Sequence, residues 1–310
     1  MEIETKSDDS DIKKNEETIE EESTPLNETQ ILLREVVDDI DRNYRNKQEN
    51  WMISSGFKKL DNLLQGFREG DLNIIASRPS IGKTTFALSI FLNLISNGVS
   101  ALYISFEKNE KELLKDIVSI HSHFDTTRLE SGFFHPYDFD PLFKTFEFIH
   151  NKSAFYLKSF YNTTLPILSD YIKKQISENF VKIVFIDYLT MIIPAPTYAT
   201  RWEQVSEISR SLKSMAMEYK VPFIVLCPIH RNITDLSPKI SDLSESGSIE
   251  YEADRIILLY KDDKKQKDFT ADRESVITVY TAKNRRGPIG TFDLDFNHRN
   301  KTFTDTEERI

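Results

Sequence analysis

One short run of residues, Ile74-Ile75-Ala76-Ser77-Arg78-Pro79-Ser80-Ile81-Gly82-Lys83-Thr84-Thr85-Phe86-Ala87-Leu88, leaves this chain few ways to fold. It reads as a buried strand, a tight loop and a helix, in that order. The loop fits the phosphate-binding pattern G-x-x-x-x-G-K-[ST], with Ser77 where the first glycine usually stands. The spacing has a chemical reason. Gly82 lets the backbone come close to a phosphate. The stretch Ser77, Arg78, Pro79, Ser80, Ile81, Gly82, Lys83, Thr84 and Thr85 then forms a candidate cradle. Backbone N–H groups of the loop and the helix opening meet the anion there. Lys83 brings a mobile positive charge to the outer phosphates, and the Thr84 hydroxyl is a candidate ligand for Mg2+.

The rest of the chain supplies a setting for that loop. Net charge is -10 over 310 residues, but residues 1–28 hold roughly eleven acids against three bases. The body is therefore close to neutral. Residues 1–27 lack the apolar side chains needed to offset the entropy of ordering, and are read as a disordered acidic tail. Residues 28–50 form an amphipathic helix and a hinge, with Leu32, Val36, Ile40 and Tyr44 every fourth residue and Ile31 and Val37 alongside. Residues 51–310 make the main domain. A single cysteine, Cys227, rules out a disulfide within the chain and suits a reducing compartment. No apolar run reaches membrane-span length and the first residues do not read as a signal peptide, so a cytoplasmic protein with no membrane partner is expected.

Apolar strand signals recur at Ala101–Phe106, Val181–Ile186, Pro222–Cys227, Arg255–Tyr260 and Ser275–Thr281, and Phe292–Phe296 with Lys301–Phe303 suggests a closing hairpin. Helical patterns fall between them at Lys111–His121, Thr164–Ser177 and Trp202–Tyr219. Residues 122–165 mix aromatics with short helical pieces and give no clear placement. Strands alternating with helices predict an α/β fold with a mostly parallel central sheet covered on both faces. In such sheets ligands collect at the carboxyl ends of the strands.

Two acids stand at such ends. Asp187 closes one strand and is a candidate magnesium ligand beside Thr84. An isolated Asp there more often forms a turn or caps a helix, but the phosphate loop upstream favours the metal role. Glu107 closes a neighbouring strand, where a carboxylate could orient or deprotonate the water that attacks a γ-phosphate. It could also simply favour the dipole of the next helix. Near the C-terminus, Ala282-Lys283-Asn284-Arg285-Arg286-Gly287-Pro288-Ile289-Gly290 places three bases before a Gly-Pro turn. In one subunit this is a solvated turn. In a ring it could reach a neighbour's nucleotide, where arginine suits developing phosphate charge.

With these residues in view, the sequence resembles the C-terminal motor domain of DnaB-type replicative helicases. The matching stretches are SRPSIGKTTFAL, LYISFE, VKIVFIDYLTMI, SEISRSLKSMA, SDLSESGSIEYEAD and KNRRGPIG, in the family's order over about residues 51–305. The phosphate loop alone would suggest only a nucleotide-binding domain; ESGSIE and GPIG together narrow it to this family. The resemblance implies a RecA-like three-layer domain preceded by a linker helix that packs on an adjacent subunit. It implies a homo-oligomeric ring, usually hexameric, with ATP between subunits, single-stranded DNA in the channel, and a primase, loader or other replisome proteins as partners. Carried over residue by residue, Lys83 and Thr84 would hold phosphate and Mg2+. Glu107 would be the catalytic base and Asp187 the second acid, while Lys283 and Arg285 would reach the neighbour's site. Backbone N–H groups near Glu245 and Gly247 could grip DNA phosphates, with His230 and Arg231 nearby either as further contacts or simply as surface residues of a polar loop.

Three departures set the alternatives. The family has a helical domain before the linker, where this sequence reads as an acidic tail, which bears on ring assembly and primase contact. The family commonly has Gln after the fourth strand to sense the γ-phosphate, where this chain has Pro228, with no side-chain donor and no N–H. Ser244 stands where arginine commonly precedes Glu-Ser-Gly, removing one cationic phosphate contact. The expected function is an ATP-dependent DNA helicase motor. The alternatives are an ATP-binding homologue that regulates or joins another helicase ring, and a recombinase-like filament, against which ESGSIE and GPIG argue.

Overall fold

The computed structural model describes residues 27–45, 52–152, 154–194, 200–229, 237–243, 246–262, 265 and 274–306. Residues 1–26 of the acidic tail lie outside the described residues, as do residues 46–50 at the expected hinge. The chain divides into two units, Met1–Trp51 and Met52–Ile310. In the first, α1 (Glu28–Arg45) opens with Asn27 and Gln30, each side chain accepting the other's backbone N–H at 2.9 Å. Ile31, Leu32, Leu33, Val36, Val37 and Ile40 are exposed along it.

The second unit runs α2 (Lys58–Leu64), β1 (Leu72–Ser77), α3 (Lys83–Ser96), β2 (Ala101–Ser105), α4 (Glu110–Ser122), α5 (Thr126–Ser131), α6 (Phe139–His150), β3 (Phe155–Ser159), α7 (Leu165–Asn179), β4 (Ile183–Asp187), α8 (Arg201–Tyr219), β5 (Phe223–Pro228), α9 (Ser246–Glu252), β6 (Arg255–Lys261), β7 (Glu274–Asn284), β8 (Gly290–Asn297) and β9 (Thr302–Asp305). The strands form one sheet in the order β3-β2-β4-β5-β1-β6-β7-β8-β9. From β3 to β6 all pairings are parallel; β7, β8 and β9 add an antiparallel edge.

The apolar runs of the sequence are explained by burial on both sheet faces. Along β1, Ile75 points into a core with Phe86 and Phe91 of α3, while Leu72, Ile74 and Ala76 point into a second core with Leu168 of α7 and Val205, Ile208 and Leu212 of α8. The α/β three-layer architecture follows. Helix starts are fixed locally. Asn109 and Glu112 form a reciprocal capping box at α4, and Thr200 and Glu203 form another at α8.

The expected strands are all present. The unplaced segment 122–165 contains one more, β3, along with α5 and α6. The longest strand, β7, runs three residues beyond Thr281, so Lys283 lies within it and Arg285 just past its end.

Candidate functional site

The phosphate loop leaves the carboxyl end of β1 between β5 and β6. Ser80 and Gly82 carry φ values of 66° and 101°, in the left-handed region. At Gly82 the packing agrees with the backbone. A Cβ there would come within 3.1 Å of Phe303 Cζ and 3.3 Å of Phe296 Cζ, so a side chain would be strained by the backbone and tight against both rings. Gly82 offers no side-chain cap to α3. The N–H groups of that first turn therefore need partners, and Lys83, Thr84 and Thr85, which carry them, line a cleft of about 440 Å3. The other walls are Ser77 to Ser80 of the loop, Glu107 and Lys108 after β2, Tyr188 after β4, and Pro228 at the end of β5.

Beneath the loop, Asp187 is buried at the last position of β4. Its Oδ2 accepts from the Thr84 hydroxyl at 2.8 Å and from the Tyr103 hydroxyl at 3.0 Å. Its Oδ1 is buried and has no partner among the described residues. Burial raises the Asp187 pKa, against the pull of the Lys83 ammonium and the two hydroxyl hydrogen bonds. Burial likewise lowers the Lys83 pKa, with Asp187 the foremost opposing charge. The Lys83 ammonium lies 5.0 Å from the centroid of the Tyr188 ring, within cation–π range. This is a donor-rich pocket over an acid with one oxygen uncommitted, which fits a nucleotide phosphate chain and a small hard cation.

Glu107 stands exposed on the cleft wall. Its neighbour Lys108 is drawn to Asp116 of α4 at 2.6 Å, and Asp116 also pairs with Lys301. Glu107 is thus an acid of the cleft wall, while Asp187 is buried behind Thr84, which lines it.

Lys283 and Arg285 are elsewhere. Since β7 is antiparallel to β6, Asn284 pairs with Arg255, and Arg255 pairs with Asn73 near the amino end of β1. Four residues of strand, about 13 Å, separate Asn73 from Ser77. The pair therefore sits at the end of the sheet opposite this chain's own phosphate loop. Lys283 donates to the Glu250 carbonyl, and Arg285 to the Tyr251 carbonyl at 2.5 Å. These are last-turn carbonyls of α9, where cations are favoured. Arg285 also lies 3.4 Å from Asp254, which accepts from Lys213 at 2.6 Å and from the Leu72 N–H at 2.8 Å.

Of the candidate DNA contacts, Arg231 and Glu245 lie outside the described residues, as do His230 and Ser244. Gly247 is the second residue of α9 and exposed; a Cβ on it would stand 3.7 Å from Trp202 Nε1. Sequence reasoning passed over Tyr103, Tyr188 and Lys108. Tyr103 had a signal: a hydroxyl inside Ala-Leu-Tyr-Ile needs a buried partner.

The sheet order, the loop at its carboxyl edge and the paired acids define a RecA-like nucleotide-binding domain. The profile of the DnaB-like helicase C-terminal domain matches residues 52–305. A probable replicative DNA helicase of Trieres chinensis is 36% identical over 262 residues, covering 82% of this chain and 57% of that one. The replicative helicase DnaB of Geobacillus stearothermophilus is 31% identical, covering 100% of this chain and 68% of its own length. Among solved structures, one described as an ATPase domain matches with a TM-score of 0.80 at 29% identity, covering 90% of this chain and 98% of that one. A DnaB-like replicative helicase, solved in a study of its interactions with primase, matches with a TM-score of 0.76 at 29% identity, covering 92% and 67%. The chain belongs to the DnaB-like helicase C-terminal domain family. It spans 57% to 68% of the length of these two curated relatives.

Proposed function

We propose that this chain is an ATP-dependent DNA helicase motor, hydrolysing ATP between subunits of a ring and translocating on single-stranded DNA during replication. One observation carries the reading: phosphate-binding and finger-type groups lie at opposite ends of one sheet. A complete site then takes two copies, one giving Lys83, Thr84, Glu107 and Asp187, the next giving Lys283 and Arg285. A closed homo-oligomer, a hexamer by family resemblance, repeats that junction around the ring.

Each residue has a role in this reading. Lys83 and the N–H groups from Ser80 to Thr85 bind the outer phosphates. Thr84 and Asp187 hold Mg2+, which neutralises phosphate charge when bound. Glu107 takes the proton of the attacking water. Arg285, with Lys283, meets the charge that develops on the transferred phosphoryl group. Arg231, Glu245 and Gly247 are the contacts to DNA phosphates in this reading. The exposed apolar side chains of α1 dock on a neighbouring subunit, with residues 28–50 as linker and 51–310 as motor. Primase and a loader are partners by resemblance, and the cytoplasm is the compartment. Among the described residues no helix is long and apolar enough to cross a membrane.

Pro228 favours a second reading. It lines the cleft beside Ser77, its register partner, and brings no side-chain donor, as in a homologue that binds ATP and joins another ring without driving it. ATP turnover, measured with and without single-stranded DNA over a range of protein concentration, separates the two. The motor gives turnover that rises with DNA and requires oligomer-forming concentrations. Tight nucleotide binding with negligible turnover supports the second reading.

A further inference from the structure

Tyr103 lies in the middle of β2 with no exposed surface. Its ring is edge-on to Phe91, with centroids 5.6 Å apart, and stacked on Phe185, also at 5.6 Å. Phenylalanine would make the same ring contacts. The hydroxyl is therefore not needed for packing, and burying it requires a hydrogen-bond partner. Strand register supplies one. Tyr103 pairs with Phe185 and Ser105 with Asp187, so the phenol reaches along β4 to the Asp187 carboxylate.

Both donors meet the same oxygen, Thr84 at 2.8 Å and Tyr103 at 3.0 Å. Asp187 Oδ1 is left buried and unpartnered among the described residues. Two donors from separate elements, α3 and β2, fix the rotation of the carboxylate. The Thr84 hydroxyl, having committed its proton to Oδ2, keeps its lone pairs free. An acid meant only to anchor Thr84 would not need a second buried donor on the same oxygen.

We propose that Tyr103 is a positioning residue of the magnesium–nucleotide site. Its hydroxyl locks the Asp187 carboxylate so that Oδ2 serves the protein and Oδ1 is kept for magnesium or a water on it. This rests on the reading of the cleft as a magnesium–nucleotide site. Partners that orient metal ligands typically matter by 10- to 100-fold in metal affinity.

The test is Tyr103→Phe in the full chain, read by titrating a fluorescent ADP analogue across a range of Mg2+. Affinity without Mg2+ is expected to stay within about twofold of wild type, while the Mg2+ needed for half-maximal enhancement rises about tenfold. Phe91→Leu is the packing control: it disturbs the same ring and is expected to lower the melting temperature without moving the Mg2+ midpoint. An unchanged midpoint in Tyr103→Phe overturns the proposal. So does an equal shift in Phe91→Leu, or a Tyr103→Phe chain that fails to fold, since the hydroxyl would then be holding the core. If wild type itself binds nucleotide without regard to Mg2+, the reading of the cleft fails first, and separately.

Discussion

Lys83 carries its charge where burial penalises it, and Asp187 sits below it with its own pKa pushed the other way. A phosphate chain would relieve the first by giving the ammonium an anion, and a cation bound with the phosphates would relieve the second. The Lys83 pKa lies below the ordinary 10.5, so the ammonium loses its proton earlier as pH rises. Phosphate binding needs the protonated form, so nucleotide affinity should fall as pH climbs through that lowered value. Lys83→Ala should bind weakly, with little pH dependence, and hydrolyse no ATP. Fluorescent-nucleotide titrations from neutral pH upward check this; a wild-type profile as flat as the variant's would contradict it. These residues were legible because motif spacing is a backbone requirement: Gly82 has φ 101° and two phenylalanine rings within 3.3 Å of where a Cβ would lie. Tyr103 was harder to find, because its partner is 84 residues away and only strand register brings them together.

Elements were readable where periodicity was clean. The inner strands are apolar throughout because helices cover both faces, and α4 and α8 start at capping residues. Strand β3 hid because it is an edge strand with four of its five residues only part-buried, so its apolar signal was diluted by Lys158 and Ser159. Arg255, opening β6, concealed a different feature. It reads as a strand-end base, yet it is fully buried, 3.1 Å from Asp71 and 3.2 Å from the Asn73 side chain. Arg255→Met would strand the Asp71 carboxyl in the interior. A loss of about 3–5 kcal/mol is expected, seen as a lower urea midpoint with an unchanged slope. Asp71→Asn with Arg255→Met should recover part of that loss. If Arg255→Met alone costs under about 1 kcal/mol, Arg255 does not brace the amino ends of β1 and β6.

For the whole molecule, topology decides what one copy can do. An antiparallel β7 carries Lys283 and Arg285 away from the phosphate loop, and no rearrangement of side chains spans that distance. The sequence showed the basic turn but not which end of the sheet it occupies, since that depends on β7 reversing direction beside β6. Within the chain the pair is held by the last carbonyls of α9, the helix that opens with Ser246 and Gly247.

The proposed site takes its groups from two copies of the chain, so mixing Lys83→Ala with Arg285→Ala probes it. Each variant alone should show at most a few per cent of wild-type ATP turnover, and Arg285→Ala should still bind nucleotide. Rings assembled from both contain junctions with an intact phosphate loop from one copy and an intact arginine from the next. The mixture should regain a substantial fraction of wild-type turnover, greatest near equal proportions. Co-assembled rings that stay inactive at every ratio, or an Arg285→Ala chain that hydrolyses ATP normally, would contradict the two-copy site.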